Sequence, residues 1–159
     1  MNDRSAIDAF WEAYLATLAD NARPRPQAFE SWSFGNSSEM ADRLLARVLE
    51  GVKTATSSLL WSYEIEGEAL PAAGEYSVIL DGKGVPGAVI RTDDVVVQSF
   101  RSVDENLAFD EGEGDQSLSF WRQVHWRFFA EECREIGKEP GWDMDVVCER
   151  FTRVYPAPS

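Results

Sequence analysis

The stretch GEYSVILDGKGVPGAVIRTDDVVVQSF, residues 74–100, decides the fold. Its apolar residues fall in short runs rich in β-branched side chains, punctuated by glycine, proline and aspartate. The pattern predicts three strands: Tyr76–Leu80, Ala88–Arg91 and Val95–Phe100. DGKG, residues 81–84, is a hairpin signal between the first two. Such even, short spacing suggests a small, closed or nearly closed barrel. MDVVCERFTRVYP, residues 144–156, alternates well enough to add a closing strand.

Helical patterns flank these strands. SAIDAFWEAYLATLAD, residues 5–20, places Ile7, Phe10, Tyr14 and Leu18 near helical spacing, beside Trp11 and Leu15. The prolines of NARPRPQAFESWSFG, residues 21–35, break that helix, and its aromatics imply a loop that packs. In NSSEMADRLLARVLEG, residues 36–51, Asn36 and Glu39 form a capping-box-like pattern and Gly51 is the stop. Ser102 heads a short helix through Ala108, EGEGD interrupts it, and a long helix runs through Phe120, Val124 and Phe128 toward Ile136. The expected fold is α+β, with a domain at 31–159 and an N-terminal helical extension at 1–30.

The chain of 159 residues fits one domain. Its formal net charge is −13. That balance disfavours broad binding to DNA or RNA and an anionic membrane as partner, but it leaves room for a small basic pocket that takes one nucleotide. The two cysteines, Cys133 and Cys148, form no CxxC pair and no metal-ligand spacing, so they read as reduced core thiols. No signal peptide and no bilayer span are visible, so a cytoplasmic protein is expected.

Gly51, Lys53 and Thr56 form G-x-K-x-x-T. Residues three apart lie on opposite sides of an ideal strand, so Lys53 and Thr56 share a site only if Lys53 sits in the turn after the helix. There a lysine freed of its proton would activate the threonine hydroxyl. The same residues also fit a lysine that complements a helix C-terminus ahead of an ordinary strand. Glu111, Glu113 and Asp115 place three carboxylates in five residues, which fits either an acid for a leaving group or a solvated turn. His125, the only histidine, has no tight metal motif around it and fits a packed helix face. Trp121 and Arg122 could stack on a base or hold an anion. Trp32 and Phe34, like Trp61 and Tyr63, fit either a stacking wall or core. Arg91 ends a predicted strand, where it could meet Glu111, a ligand or solvent.

In this order, SFG, LLARVLEGVKTATSSL, GEYSVIL, GAVIRTDDVVVQSF and AFDEGEGDQSLSFWRQVHWRFF resemble the ASCH family, named for activating signal cointegrator homology. The resemblance runs from about Trp32 to Tyr155. It implies a PUA-like β-barrel flanked by helices, with a cleft at the barrel mouth. The family is associated with RNA or modified nucleosides. Small bacterial members are amidohydrolases of N4-acetylcytidine that use a lysine and threonine from KxxT and a glutamate from AxxE. The matching residues here are Lys53, Thr56 and Glu111. Other members are linked to ribonuclease activity or to RNA binding without chemistry. The resemblance therefore implies hydrolysis of an N4-acylated cytidine-type nucleoside, with single-strand ribonuclease or RNA-binding module as alternatives. Partners would be a modified pyrimidine nucleoside or short single-stranded RNA. In the expected mechanism Lys53 is neutral and deprotonates Thr56, Glu111 protonates the leaving amine, and backbone N–H groups from Thr54 to Ser57 hold the oxyanion. Trp32, Phe34, Thr54, Ser57, Arg91, Trp121 and Arg122 are the expected substrate-binding residues. No metal or organic cofactor is required.

Overall fold

Strand alternation builds the molecule by giving each part of one sheet two different partners. The computed structural model describes residues 3–22 and 25–158. Arg23 and Pro24, part of the stretch read as a packed loop, lie outside the described residues. The elements in chain order are α1 (Arg4–Ala16), β1 (Glu30–Trp32), α2 (Ser38–Leu49), β2 (Ala55–Leu59), α3 (Leu60–Glu66), β3 (Tyr76–Leu80), β4 (Pro86–Ser99), a 3₁₀ turn (Phe100–Ser102), α4 (Glu105–Glu111), α5 (Leu118–Ile136) and β5 (Asp145–Tyr155). The five strands form one sheet in the order β1-β3-β4-β5-β2. The β1–β3 pair is parallel and the rest are antiparallel. The sheet curls into a half-barrel, an α+β fold of the PUA-like kind.

Val78, Leu80 and Val89 point at α1 and pack on Ile7, Trp11 and Tyr14. Their neighbours Ile79, Ala88 and Ile90 point the other way, onto Leu44, Leu45 and Val48 of α2, together with Phe34 and Phe151. At the far end, Ala55, Leu59, Val146 and Cys148 bury against Leu107 and Ala108 of α4 and Trp121, Phe129 and Cys133 of α5. Cys133 and Cys148 are both free and buried. No helix among the described residues is long and apolar enough to cross a membrane.

Several local expectations change. The strands expected at Ala88–Arg91 and Val95–Phe100 are one strand, β4. Its register against β5 shifts between Thr92 and Asp94. Asp93 is held there by Arg91 Nε at 2.8 Å and by the Thr152 hydroxyl, so the chain bulges where its composition suggested a break. Ser37, not Asn36, caps α2 by accepting from Met40 N–H at 3.1 Å. Asp104, not Ser102, caps α4 through Leu107 N–H at 3.0 Å. Helix α3 and strand β1 have no counterpart in the sequence reading. The first has no buried residue, and the second is only three residues long.

Candidate functional site

Two left-handed glycines bring the GxKxxT segment against the end of α4. Gly51, at φ +81°, ends α2. The N–H groups of Val52 and Lys53 then both bond to the Arg47 carbonyl, so Lys53 lies in the turn before β2 begins at Ala55. Gly112, at φ +70°, ends α4 in the same way. A Cβ on Gly112 would lie 2.7 Å from the Val52 oxygen and 2.9 Å from Lys53 Cα. The Thr54 N–H bonds to the Asp110 carbonyl at 2.7 Å, locking the two segments together. Gly112→Ala is therefore expected to cost about 3 kcal/mol, from backbone strain plus overpacking. Urea unfolding checks this, and a loss below about 1 kcal/mol would mean that the contact is looser than described.

Lys53 and Glu111 are 2% and 1% exposed. Lys53 Nζ meets three oxygens: the Ala55 carbonyl at 2.7 Å, the Glu111 carbonyl at 3.3 Å and Glu111 Oε1 at 3.7 Å. An ammonium has three N–H donors, and this environment fits it. The ring of Phe34, its centroid 5.0 Å from Nζ, covers the remaining side. Glu111 Oε2 accepts from the Ser57 hydroxyl and from Trp121 Nε1. His125 Nε2 lies 3.2 Å from Glu111 Oε1 and 3.6 Å from Glu113 Oε2. His125 stacks on Trp121, with ring centroids 4.3 Å apart.

The charges follow from these partners. His125 Nδ1 faces the Trp121 carbonyl at 3.0 Å and Nε2 faces two carboxylates, so each nitrogen carries a proton. Burial pushes the imidazole down, but Glu111 and Glu113 raise it above its ordinary value. Burial pushes the Glu111 carboxyl up, and His125, then Lys53 and Ser57, outweigh it and hold the group at about 2. Glu111, Glu113 and His125 offer ligand atoms within 4.8 Å of one another. A metal ion there would have to displace the Nε2 proton and sit beside the Lys53 ammonium, so the donor set does not suit one.

Thr56 stands apart from this cluster. Ser57 points at Glu111, so its neighbour Thr56 points to the opposite face of β2. There Thr56 is paired across the sheet with Glu149. Its half-buried hydroxyl has no hydrogen-bond partner among the described residues. Glu149 is 8% exposed and accepts from the Thr92 hydroxyl. Burial pushes its carboxyl up, the Thr92 hydrogen bond pulls against that, Glu75 and Glu30 add to the rise, and Lys53 opposes it. Lys53 thus contacts Glu111 directly, and its charge reaches Glu149 on the Thr56 side.

Of the other candidate residues, Phe34 is buried beside Lys53, and Trp32 meets its ring edge-on at 4.8 Å. Thr54 is exposed and its hydroxyl leans on the Asp110 carbonyl at 3.4 Å. Trp121 gives its N–H to Glu111 inside the core. Arg91 pairs with Asp93 rather than Glu111. Arg122 lies over Trp142 in a separate groove on α5. The sequence reading missed Glu149. Its signal was a carboxylate inside the strand run VVCERF, directly across from the threonine strand.

A family model described as ASCH domain matches residues 30–155. A search of curated protein sequences found no match. The fold is similar to the crystal structure of an ASCH domain from Lactobacillus crispatus JV V101, at 32% identity and TM-score 0.90, covering 95% of each chain. It is also similar to a protein from Enterococcus faecalis V583, at 36% identity and TM-score 0.83, covering 96% of this chain and 92% of that one. A hypothetical protein at 16% identity and TM-score 0.52 shares the fold alone. The matched segment contains the whole Lys53–Glu111–His125 cluster and both strands that carry Thr56 and Glu149. The chain belongs to the ASCH domain family.

Proposed function

We propose that the protein is an amidohydrolase that removes the acyl group from an N4-acylated cytidine-type nucleoside, with Lys53, Thr56 and Glu111 as its central residues. The observation that carries this reading is the buried Lys53–Glu111 pair just before β2, whose second residue, Thr56, has a hydroxyl without a hydrogen-bond partner among the described residues. Desolvating an ion pair is costly, and packing alone would favour apolar side chains there.

In this reading Thr56 Oγ1 adds to the acyl carbon and its proton passes to Glu149, its cross-strand partner. The buried Lys53 cation, held by Glu111, stabilises the oxyanion through its charge. Glu149 passes the proton on to N4 as the carbon–nitrogen bond breaks. Glu149, again a carboxylate, then takes a proton from water, whose hydroxide cleaves the threonyl ester. Glu149 returns that proton to the Thr56 oxygen. Glu111, a carboxylate held at about 2, positions Lys53 rather than donating a proton. Glu149 thus takes the part of base expected of Lys53 from the sequence.

Two features weigh against RNA as the main ligand. The chain carries −13 charge, and an anionic Glu111 underlies the lysine that would meet phosphate. In a screen of N4-acylated cytidines beside labelled single-stranded RNA at physiological salt, release of carboxylic acid is expected, with weak RNA binding. Tight RNA binding with a steep salt slope and no acid release would replace this reading with the binding module.

A further inference from the structure

The outer side of α5 carries a pocket distinct from the Lys53–Glu111 cluster. It is a groove of about 1100 Å³ between α5, the 3₁₀ turn and the segment at Pro140–Trp142. Its lining includes Arg122, Arg127 and Arg134 and no acidic residue. That is unusual in a chain with 28 acidic and 15 basic residues. None of the three arginines has a carboxylate partner among the described residues, whereas Arg4, Arg91, Arg101 and Arg150 each do. Arg122 Nε is buried with no hydrogen-bond partner. Three guanidinium groups without a carboxylate partner in one groove, one of them with a buried, unbonded Nε, suit an anionic ligand.

The groove is also aromatic. Trp142 is 45% exposed. Trp126 lies near-parallel to it, at 27° and 6.0 Å, and the Arg122 guanidinium lies over the Trp142 ring at 5.5 Å. Phe100 meets both indoles edge-on and forms the floor. Indoles and a flat guanidinium offer faces to a planar ring, and such stacking is tolerant of which base is bound. Guanidinium groups recognise phosphate through paired donors.

We propose that this groove binds a free nucleotide, its base on the Trp126–Trp142 face and its phosphate on Arg127 and Arg134. A free nucleotide rather than a strand fits the charge, because each further phosphate would have to approach a protein of net charge −13. The inference does not depend on the amidohydrolase reading.

Isothermal titration of the full chain with adenosine monophosphate tests it. A purine is chosen because the proposed hydrolase substrate is a pyrimidine. Saturable binding is expected, with adenosine at least roughly ten-fold weaker, since a charge-assisted phosphate contact contributes about that much. Arg127 and Arg134 are exposed, so a double Arg127→Gln, Arg134→Gln variant should unfold at the wild-type temperature. That variant should lose the preference for the phosphate, while Trp142→Ala should weaken nucleotide and nucleoside alike. No saturable binding at millimolar nucleotide, or equal affinity in wild type and double variant, overturns the proposal. An adenylate hexamer that binds more than ten-fold tighter than the mononucleotide, with a steep salt slope, overturns the free-nucleotide assignment in favour of a strand.

Discussion

Thr56→Ala is expected to leave a folded protein whose turnover of N4-acetylcytidine is reduced roughly 10³-fold or more. The fold should tolerate it. The hydroxyl makes no hydrogen bond among the described residues, and Thr56 is only half-buried, so alanine removes little that holds β2 in place. The rate should not tolerate it, because the neighbouring hydroxyls are committed elsewhere: Thr92, which bonds to Glu149, is 2% exposed. Ser57 points to the other face and is committed to Glu111, and Ser58 bonds to the Tyr63 hydroxyl at 2.9 Å. Glu149→Gln should also slow acylation strongly and remove the acid limb of the rate profile, since the amide cannot take the Thr56 proton. Lys53→Met keeps most of the volume but removes the cation, and should reduce the rate about as severely. Steady-state turnover by the folded variants, each checked by circular dichroism, decides the assignment. Near-normal turnover by Thr56→Ala would rule Thr56 out as the nucleophile. A Glu149→Gln profile identical to wild type would return the first proton transfer to Lys53.

The residues that stayed hidden in the sequence share a physical reason. Lys53 could be placed in a turn because Gly51 announces the helix end and the strand-like residues start afterwards. The length of β3 could be read because Tyr76, Val78 and Ile79 are β-formers in a run bracketed by turn signals. His125 was visible as a packed residue from its four-residue rhythm, yet its partner was not. The contact joins the end of α4 to α5 across EGEGD, and no local period encodes that approach. The side on which Thr56 falls depends on where the turn ends and the pleat begins. One residue of difference exchanges Thr56 for Ser57 at Glu111. Strand β1 is a three-residue parallel addition beside β3, too short for alternation to reveal. Arg122 and Trp121 are adjacent in sequence but serve opposite sides of α5, one in the outer groove and one in the core. Adjacent helix positions point about 100° apart, so treating them as one stacking unit merged two faces.

Glu111→Gln should destabilise the fold by about 3–5 kcal/mol and flatten the part of its pH dependence that Glu111 and His125 set. The substitution keeps the volume, so no cavity confuses the result. It leaves Lys53 and a protonated His125 in a buried site without their shared counter-charge, and turns an amide N–H toward one of them. For a chain of this size the loss corresponds to a fall of roughly 10 °C in the unfolding temperature. Two groups of the site set this pH dependence in the wild type. Glu111 is held below its ordinary 4.5, so its contribution is complete above that value and disappears as pH falls through about 2. His125 is raised above 6.5, so its contribution is complete below 6.5 and disappears as pH rises through its folded value. These groups therefore make the wild type more stable at pH 5 than at pH 8. In the variant the Glu111 charge is gone, and only Glu113, at 3.6 Å, and the Trp121 carbonyl act on the imidazole against burial. The folded-state pKa of His125 is then lower than in the wild type, and the fall in stability between pH 5 and pH 8 shrinks. Urea unfolding of both proteins at pH 5 and pH 8 measures the four free energies, and subtracting the wild-type difference from the variant difference cancels the background of the remaining titrating groups. If the variant loses under about 1 kcal/mol, or loses as much stability between pH 5 and pH 8 as the wild type, then Glu111 is not the counter-charge that holds Lys53 and His125 in place.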